Sequence, residues 1–188
     1  MDTGEVHNQL AVTVVVGSCL AAGTILWAGS YPSGALMPEL AAVLLAGITS
    51  VLWLVFLVAG LRARRFQLLG MITAVGVAVL VGSAFAARIE LPLLARFAIV
   101  RPAFDRIVAE RAAAGAGQKP CPAWIGTYRI SACWTYGTGT YFSERDGGFL
   151  NGVGFAYLPD GPPDGSPVGG SITYSQLRAS WYWYIQEW

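Results

Sequence analysis

The stretch LAAVLLAGITSVLWLVFLVAGL (residues 40–61), followed by Arg62-Ala-Arg-Arg65 and FQLLGMITAVGVAVLVGSAFAA (residues 66–87), decides the fold. Neither apolar run holds a charged residue. Each is long enough for a helix to cross a hydrocarbon core roughly 30 Å thick. One Asp, Lys or Arg at mid-bilayer costs roughly 2.5–3.5 kcal/mol, so two charge-free windows in succession select lipid as their solvent. The link between them permits only an antiparallel helical hairpin, with Arg62, Arg64 and Arg65 at one membrane face.

Upstream, residues 10–29 form a third charge-free run, rich in Val, Leu, Ile and Ala, with Trp27 near its end. Indole rings favour the membrane interface, and the run reads as the first transmembrane helix. Residues 1–9 read as a polar tail containing no Lys or Arg, which argues against a secretory signal. Residues 30–38, with Pro32, Gly34 and Pro38, form a turn-rich connector. Hydrophobic residues make up 55% of the 188-residue chain and charged residues 12%, about half the usual share for a soluble domain. The formal net charge of +1 lacks the basic concentration that phosphate backbones require, so nucleic acid is not an expected partner.

Within the third helix Gly70, Ala74, Ala78 and Gly82 recur every four residues. Small-residue stripes let helix backbones approach closely in lipid. This one reads either as packing within the chain's own bundle, the preferred reading, or as a face for a membrane partner or a second copy. Gly17/Ala21 and Ser18/Ala22 make a shorter version on the first helix. No ionisable residue lies inside the spans, whereas transporters and proton relays carry such residues. The expectation is an anchor.

Residues 88–118 change character. Leu93, Phe97, Val100, Phe104 and Ile107 make an amphipathic stripe. Pro102 is expected to kink or restart the helix, Arg106 and Glu110 are spaced for an ion pair, and Gly115 is a stop signal. The segment reads as a stalk or an interfacial helix, with Arg96, Arg101, Arg106 and Arg111 available to headgroups. Residues 119–188 read as a small antiparallel sheet of about four strands (124–130, 133–142, 152–158 and 179–188), separated by Gly, Asp and Pro clusters. Residues 144–148 make a hairpin turn, and 159–170 an irregular loop. The fold class is therefore three transmembrane helices followed by a small α+β domain.

Chemistry is harder to find. His7, the single histidine, lies near the N-terminus, and Lys119 is the only lysine. Ser131, Ser143, Ser166 and Ser180 sit in no nucleophile motif. The Asp160-Gly-Pro-Pro-Asp-Gly165 loop lacks the ligand density of a calcium site. No catalytic residue, metal set or cofactor is expected. A hydrolase would need Asp160 or Asp164 to face Glu144 or Asp146 across a cleft. Cys121 and Cys133 are spaced for a disulfide that suits an oxidising compartment. The aromatic residues, above all Trp181, Tyr182, Trp183, Tyr184 and Trp188, form either a recognition surface for an envelope ligand or the core of a very small sheet. With Arg62–Arg65 cytoplasmic, the N-terminus lies inside and the C-terminal domain outside the cytoplasmic membrane. The arginines after the third helix pull the opposite way, weakly, because long segments translocate despite their charge.

At Arg101-Pro-Ala-Phe-Asp-Arg106, Gly154-Phe-Ala-Tyr-Leu-Pro-Asp-Gly-Pro-Pro163 and Trp181-Tyr-Trp-Tyr184 the chain resembles a group of small membrane proteins of high-GC Gram-positive bacteria. Those proteins place a few N-terminal helices before an aromatic-rich sheet. The resemblance implies an actinobacterial source and this architecture, and it carries no activity. The expected function is a non-enzymatic envelope interaction module. The alternatives are an accessory or assembly subunit of a larger membrane complex, and an envelope hydrolase.

Overall fold

The computed structural model describes residues 3–32, 36–62, 66–114, 120–148, 151–165 and 169–187. They form two compact units, one of residues 1–29 and 37–91, the other of residues 30–36 and 92–188.

The first unit comprises α1 (Thr3–Ala28), α2 (Leu36–Arg62) and α3 (Phe66–Arg88). Each contains a segment long and apolar enough to cross a membrane: Asn8–Ala28, Glu39–Arg62 and Leu69–Arg88. This is a multi-pass membrane protein. Helix α1 starts at Thr3, so the polar segment read as a tail is helical almost from its beginning. Val43, Leu44 and Leu54 are 70%, 67% and 65% exposed. In water each such side chain would forgo roughly 1.5–3 kcal/mol of burial; in lipid it forgoes none. Several hydroxyls in these spans are satisfied locally, as a hydrocarbon environment favours, whereas Thr73 Oγ1 is buried with no hydrogen-bond partner. Thr13 donates to the Gln9 carbonyl (2.8 Å), Ser50 to Ala46 (2.7 Å) and Ser83 to Leu80 (2.9 Å).

Val14, Phe56 and Leu69 form the centre of this unit. A Cβ at Gly17 would meet Thr49 Oγ1 at 3.2 Å, and one at Gly76 would collide with the Trp53 ring. Trp53 Nε1 donates to Ser18 Oγ (3.1 Å), joining α2 to α1. Internal packing therefore uses the α1 stripe (Gly17, Ser18, Ala21, Ala22) and, on α3, Leu69, Gly76 and Ser83. Gly70, Ala74, Ala78 and Gly82 are all exposed, and a Cβ at Gly70 or Gly82 would meet nothing within 4 Å. The expected packing of this stripe within the bundle is thus corrected. Successive helical residues are rotated by about 100°, so a face one position from Leu69 points elsewhere.

The second unit is α4 (Leu91–Ala114) against one antiparallel sheet. Its strands are β1 (Trp124–Ile125), β2 (Tyr128–Tyr136), β3 (Gly139–Glu144), β4 (Gly152–Tyr157), β5 (Ser171–Arg178) and β6 (Trp181–Glu187), in the order β1-β2-β3-β4-β6-β5. There are six strands where about four are expected, for local reasons. Gly126 (φ +59) turns the chain between β1 and β2, and Gly137 (φ +58) splits the aromatic run 133–142 into a hairpin. Strand β5 is polar and edge-placed, and its turn into β6 uses Ala179 (φ +50) in place of Gly, Asn or Asp.

Helix α4 is packed into the sheet domain along one face rather than standing free as a stalk. Leu93, Phe97, Val100 and Phe104 are buried against Ile125, Tyr128, Ile130, Phe142, Phe155 and Trp181 of the sheet. The helix runs through Pro102 as one element, with that ring on its exposed side. A bulge at Ser131 in β2 explains the sheet's parity. Before it, Tyr128 and Ile130 face α4; after it, Cys133 does, and Trp134 moves to the opposite face. That opposite face closes on itself. Tyr141, Ala156, Leu158 and Tyr184 are buried there, with Trp134 stacked on Tyr141 at 5.5 Å.

Candidate functional site

Besides the hydrogen bond from Trp181 Nε1 to Asp105 Oδ1, helix α4 meets the rest of its unit in two polar places. The first joins its N-terminal half to the α1–α2 connector. Arg96 donates from Nε to Thr127 Oγ1 (2.9 Å) and from Nη1 to Ser30 Oγ (3.0 Å). Its guanidinium lies 4.3 Å from the Tyr31 ring centroid and 4.1 Å from that of Tyr128. A flat, weakly hydrated cation suits such a corner between rings; an ammonium would not. Tyr128 is fully buried, and its Oη donates to the Ser30 carbonyl (3.1 Å). Burial raises the phenol's pKa, which keeps it a donor.

Glu144 closes the same corner from the end of β3. It is 4% exposed; Oε2 accepts from the Gly147 amide, and Oε1 has no partner. Desolvation is the main reason its pKa is pushed up to about 7; the Gly147 amide opposes the shift, Asp146 adds to it and Arg96 opposes it. A Cβ on Gly147 would lie 2.9 Å from Glu144 Oε2 and 3.2 Å from the Pro32 carbonyl. The residue therefore has to be glycine where the turn meets the connector. This corner is a structural clamp. It also bears on topology: two spans separate the connector from α4, so both emerge on one side of the membrane, as their shared packing requires.

The second place is a cavity of about 400 Å³ beside the C-terminal half of α4. Ala103, Arg106, Ile107, Glu110 and Arg111 form its helical wall. The other wall is the segment from Pro120 to Gly126, which includes Cys121 and Trp124. Cys121 and Cys133 are joined by a disulfide, with Cα atoms 5.5 Å apart and 12 residues of separation. A loop of that size is worth about 3 kcal/mol in the chain-entropy model. Here it also holds the 120–125 segment against β2, giving the cavity a fixed wall. Trp124 is 58% exposed, and Arg129 sits 5.4 Å over its ring while paired to Asp146 (3.3 Å). The volume lies within the 300–1,000 Å³ typical of small-molecule sites.

The expected recognition rings are placed differently. Trp181 and Tyr184 are core residues, so neither belongs to an exposed surface. Trp181 packs under α4 and donates from Nε1 to Asp105 Oδ1 (2.9 Å). Tyr182 and Trp183 are half-buried on opposite faces, and Trp188 lies outside the described residues, as do Gly115, Lys119 and Ser166. So small a sheet uses its rings as core. The carboxylates a hydrolase would need do not converge: Asp160 accepts from Thr138 Oγ1 (2.7 Å), Asp146 is paired with Arg129, and Glu144 is inside the clamp. Among the described residues no three His, Cys, Asp or Glu side chains group as metal ligands. Sequence reading singled out Arg106, Ile107, Glu110 and Arg111 on one helix and Cys121 in a disulfide, without joining them. The disulfide was the signal that could have done so, since it fixes which strand the 120–125 segment lies on.

No family model, curated protein or solved structure matches this chain.

Proposed function

We propose that the protein holds a small disulfide-bonded α+β domain on the outer face of a bacterial cytoplasmic membrane, as a non-enzymatic module that binds envelope material. The observation that carries this reading is the cavity beside Cys121–Cys133, with an exposed Trp124 at its wall and arginines on its helix. The exposed indole stands out beside Tyr128, Tyr141, Trp181 and Tyr184, which are all buried, and flat rings give binding area at low entropic cost. The disulfide favours the oxidising side of the membrane. The arginines that seem to oppose that sidedness belong to a folded domain: Arg96 is in the clamp and Arg101 is paired with Asp105 (3.3 Å). Domain-sized segments translocate largely regardless of charge. The resemblance of the three motifs to those of actinobacterial membrane proteins is in keeping with such a source.

A second reading has its own support. The outward stripe Gly70, Ala74, Ala78 and Gly82 on α3 suits close approach by another helix, as in an accessory subunit of a larger complex. Purification from native membranes in mild detergent separates the two. The envelope module is expected as a protein without a stoichiometric membrane partner that is retained by isolated cell-wall polymer. A stoichiometric membrane partner without such retention favours the subunit reading and rejects the first.

A further inference from the structure

Helix α4 has a second face, turned away from the sheet, whose side chains do not suit water. Leu91, Leu94, Ala95, Ala98, Ile99 and Pro102 are all exposed, Ile99 at 80%, and none of the six carries a charge or a hydrogen-bonding side chain. At about 100° per residue they fall on one strip, opposite Leu93, Phe97, Val100 and Phe104. The arginines of the same turns do not interrupt it. Arg96 reaches inward to Ser30 and Thr127, and Arg101 pairs along the helix with Asp105. A helix bathed in water keeps its outer face polar.

What covers the strip follows from where the helix begins. Helix α3 ends at Arg88 and α4 starts at Leu91, with Glu90 turning the chain at φ +57. Trp27, 58% exposed near the end of α1, marks the membrane interface, and a Cβ at Gly29 would meet Ala87 of α3 at 3.2 Å, so both spans end at that level. Arg96 in turn bonds Ser30, the second residue beyond α1. The strip therefore starts three residues past one span, on a helix tied to the chain just past another. Rising straight from the surface at about 1.5 Å per residue, the helix would carry Ile99 and Pro102 roughly 12–17 Å into water. Lying along the surface, it keeps all six side chains between headgroups and acyl chains.

We infer that the outward strip of α4 lies in the bilayer interface, so that this helix has lipid on one face and the sheet on the other. Continuity with the spans supplies the occupant: lipid is already present where the strip begins. The contact is made by apolar side chains, not by Arg96 or Arg101, which the sequence alone leaves open to headgroups. It holds whichever side of the membrane the domain occupies and whatever the cavity binds.

Spin labelling of the full chain in vesicles of phosphatidylcholine and phosphatidylglycerol tests this. Cys19→Ala removes the free thiol of the described residues, and without reductant Cys121–Cys133 stays bridged. Nitroxides at Ile99→Cys and Ala95→Cys are compared with Val51→Cys, exposed within α2, and Tyr136→Cys, exposed on the sheet. Power saturation reads collisions with oxygen, which concentrates in lipid, and with a water-soluble nickel chelate supplied on both sides of the vesicle. Both α4 labels are expected to favour oxygen, as at Val51, at a depth of roughly 5–10 Å, while the label at Tyr136 favours the chelate. Chelate-dominated collisions at the two α4 positions place the strip in water and overturn the inference. Low accessibility to both reagents there means that protein, a second copy or another subunit, covers the strip, and overturns it as well. Both α4 substitutions enter exposed positions, and an intact disulfide in each variant reports a folded sheet domain.

Discussion

Glu144 is a carboxyl held in surroundings far from its ordinary ones. Its carboxyl is desolvated under α4 and the connector, one oxygen has no partner, and its pKa is pushed from 4.5 to about 7. The sign follows from linkage: the folded domain holds this proton more tightly than the unfolded chain. The group's stabilising contribution is complete below pH 4.5 and is lost as pH rises through about 7, amounting to at most about 3 kcal/mol. The second unit is therefore expected to lose thermal stability between pH 4.5 and about pH 7, a window set by those two pKa values. Glu144→Gln is expected to flatten that dependence and to raise the melting temperature at pH 8. A pH profile in the variant as steep as in the parent would show that Glu144 ionises freely in the fold. None of this was readable in advance: a Glu at the end of an aromatic strand and before Arg-Asp-Gly-Gly resembles any surface turn. It is buried only in the fold, beside Gly147 where that turn meets the Pro32 carbonyl.

At the level of elements, what was legible was what periodicity and charge control. Three charge-free runs gave three spans, and the Leu93–Phe104 stripe gave an amphipathic helix. Which partner covers a stripe is a tertiary matter, so α4 read as a stalk although it is the lid of a sheet. The same limit applies to α3. Its sequence offers small residues on more than one face, and the face used inside the unit is that of Gly76, while Gly70 and Gly82 look outward. Two substitutions separate these roles. Gly76→Leu drives a side chain into Trp53 and is expected to destabilise the helical unit by about 1–3 kcal/mol, the usual cost of overpacking. Gly82→Leu enters open space and is expected to leave thermal stability in detergent unchanged. If Gly82→Leu also removes a membrane partner or a dimer seen with the parent protein, the outward stripe is an interface; loss of stability in that variant would place the stripe inside the bundle. The strand count erred because Gly137 and Ala179 turn the chain without interrupting its aromatic or polar pattern.

At the level of the whole molecule, the sequence spends its charge-free residues on lipid and its rings on a domain too small to be stable on aliphatic packing alone. A disulfide then contributes about 3 kcal/mol and holds one wall of the cavity beside α4. The central claim is the proposed sidedness, with Arg62–Arg65 in the cytoplasm and this domain on the outer face of the membrane. Thiol labelling in intact cells tests it most directly, with the sites read by peptide mass spectrometry so that Cys19, the thiol within α1, is scored apart. A membrane-impermeant maleimide is expected to modify Cys121 and Cys133 only after treatment with an impermeant reductant. Modification of either cysteine only after the cells are broken, with or without reductant, would place the domain inside and contradict the account.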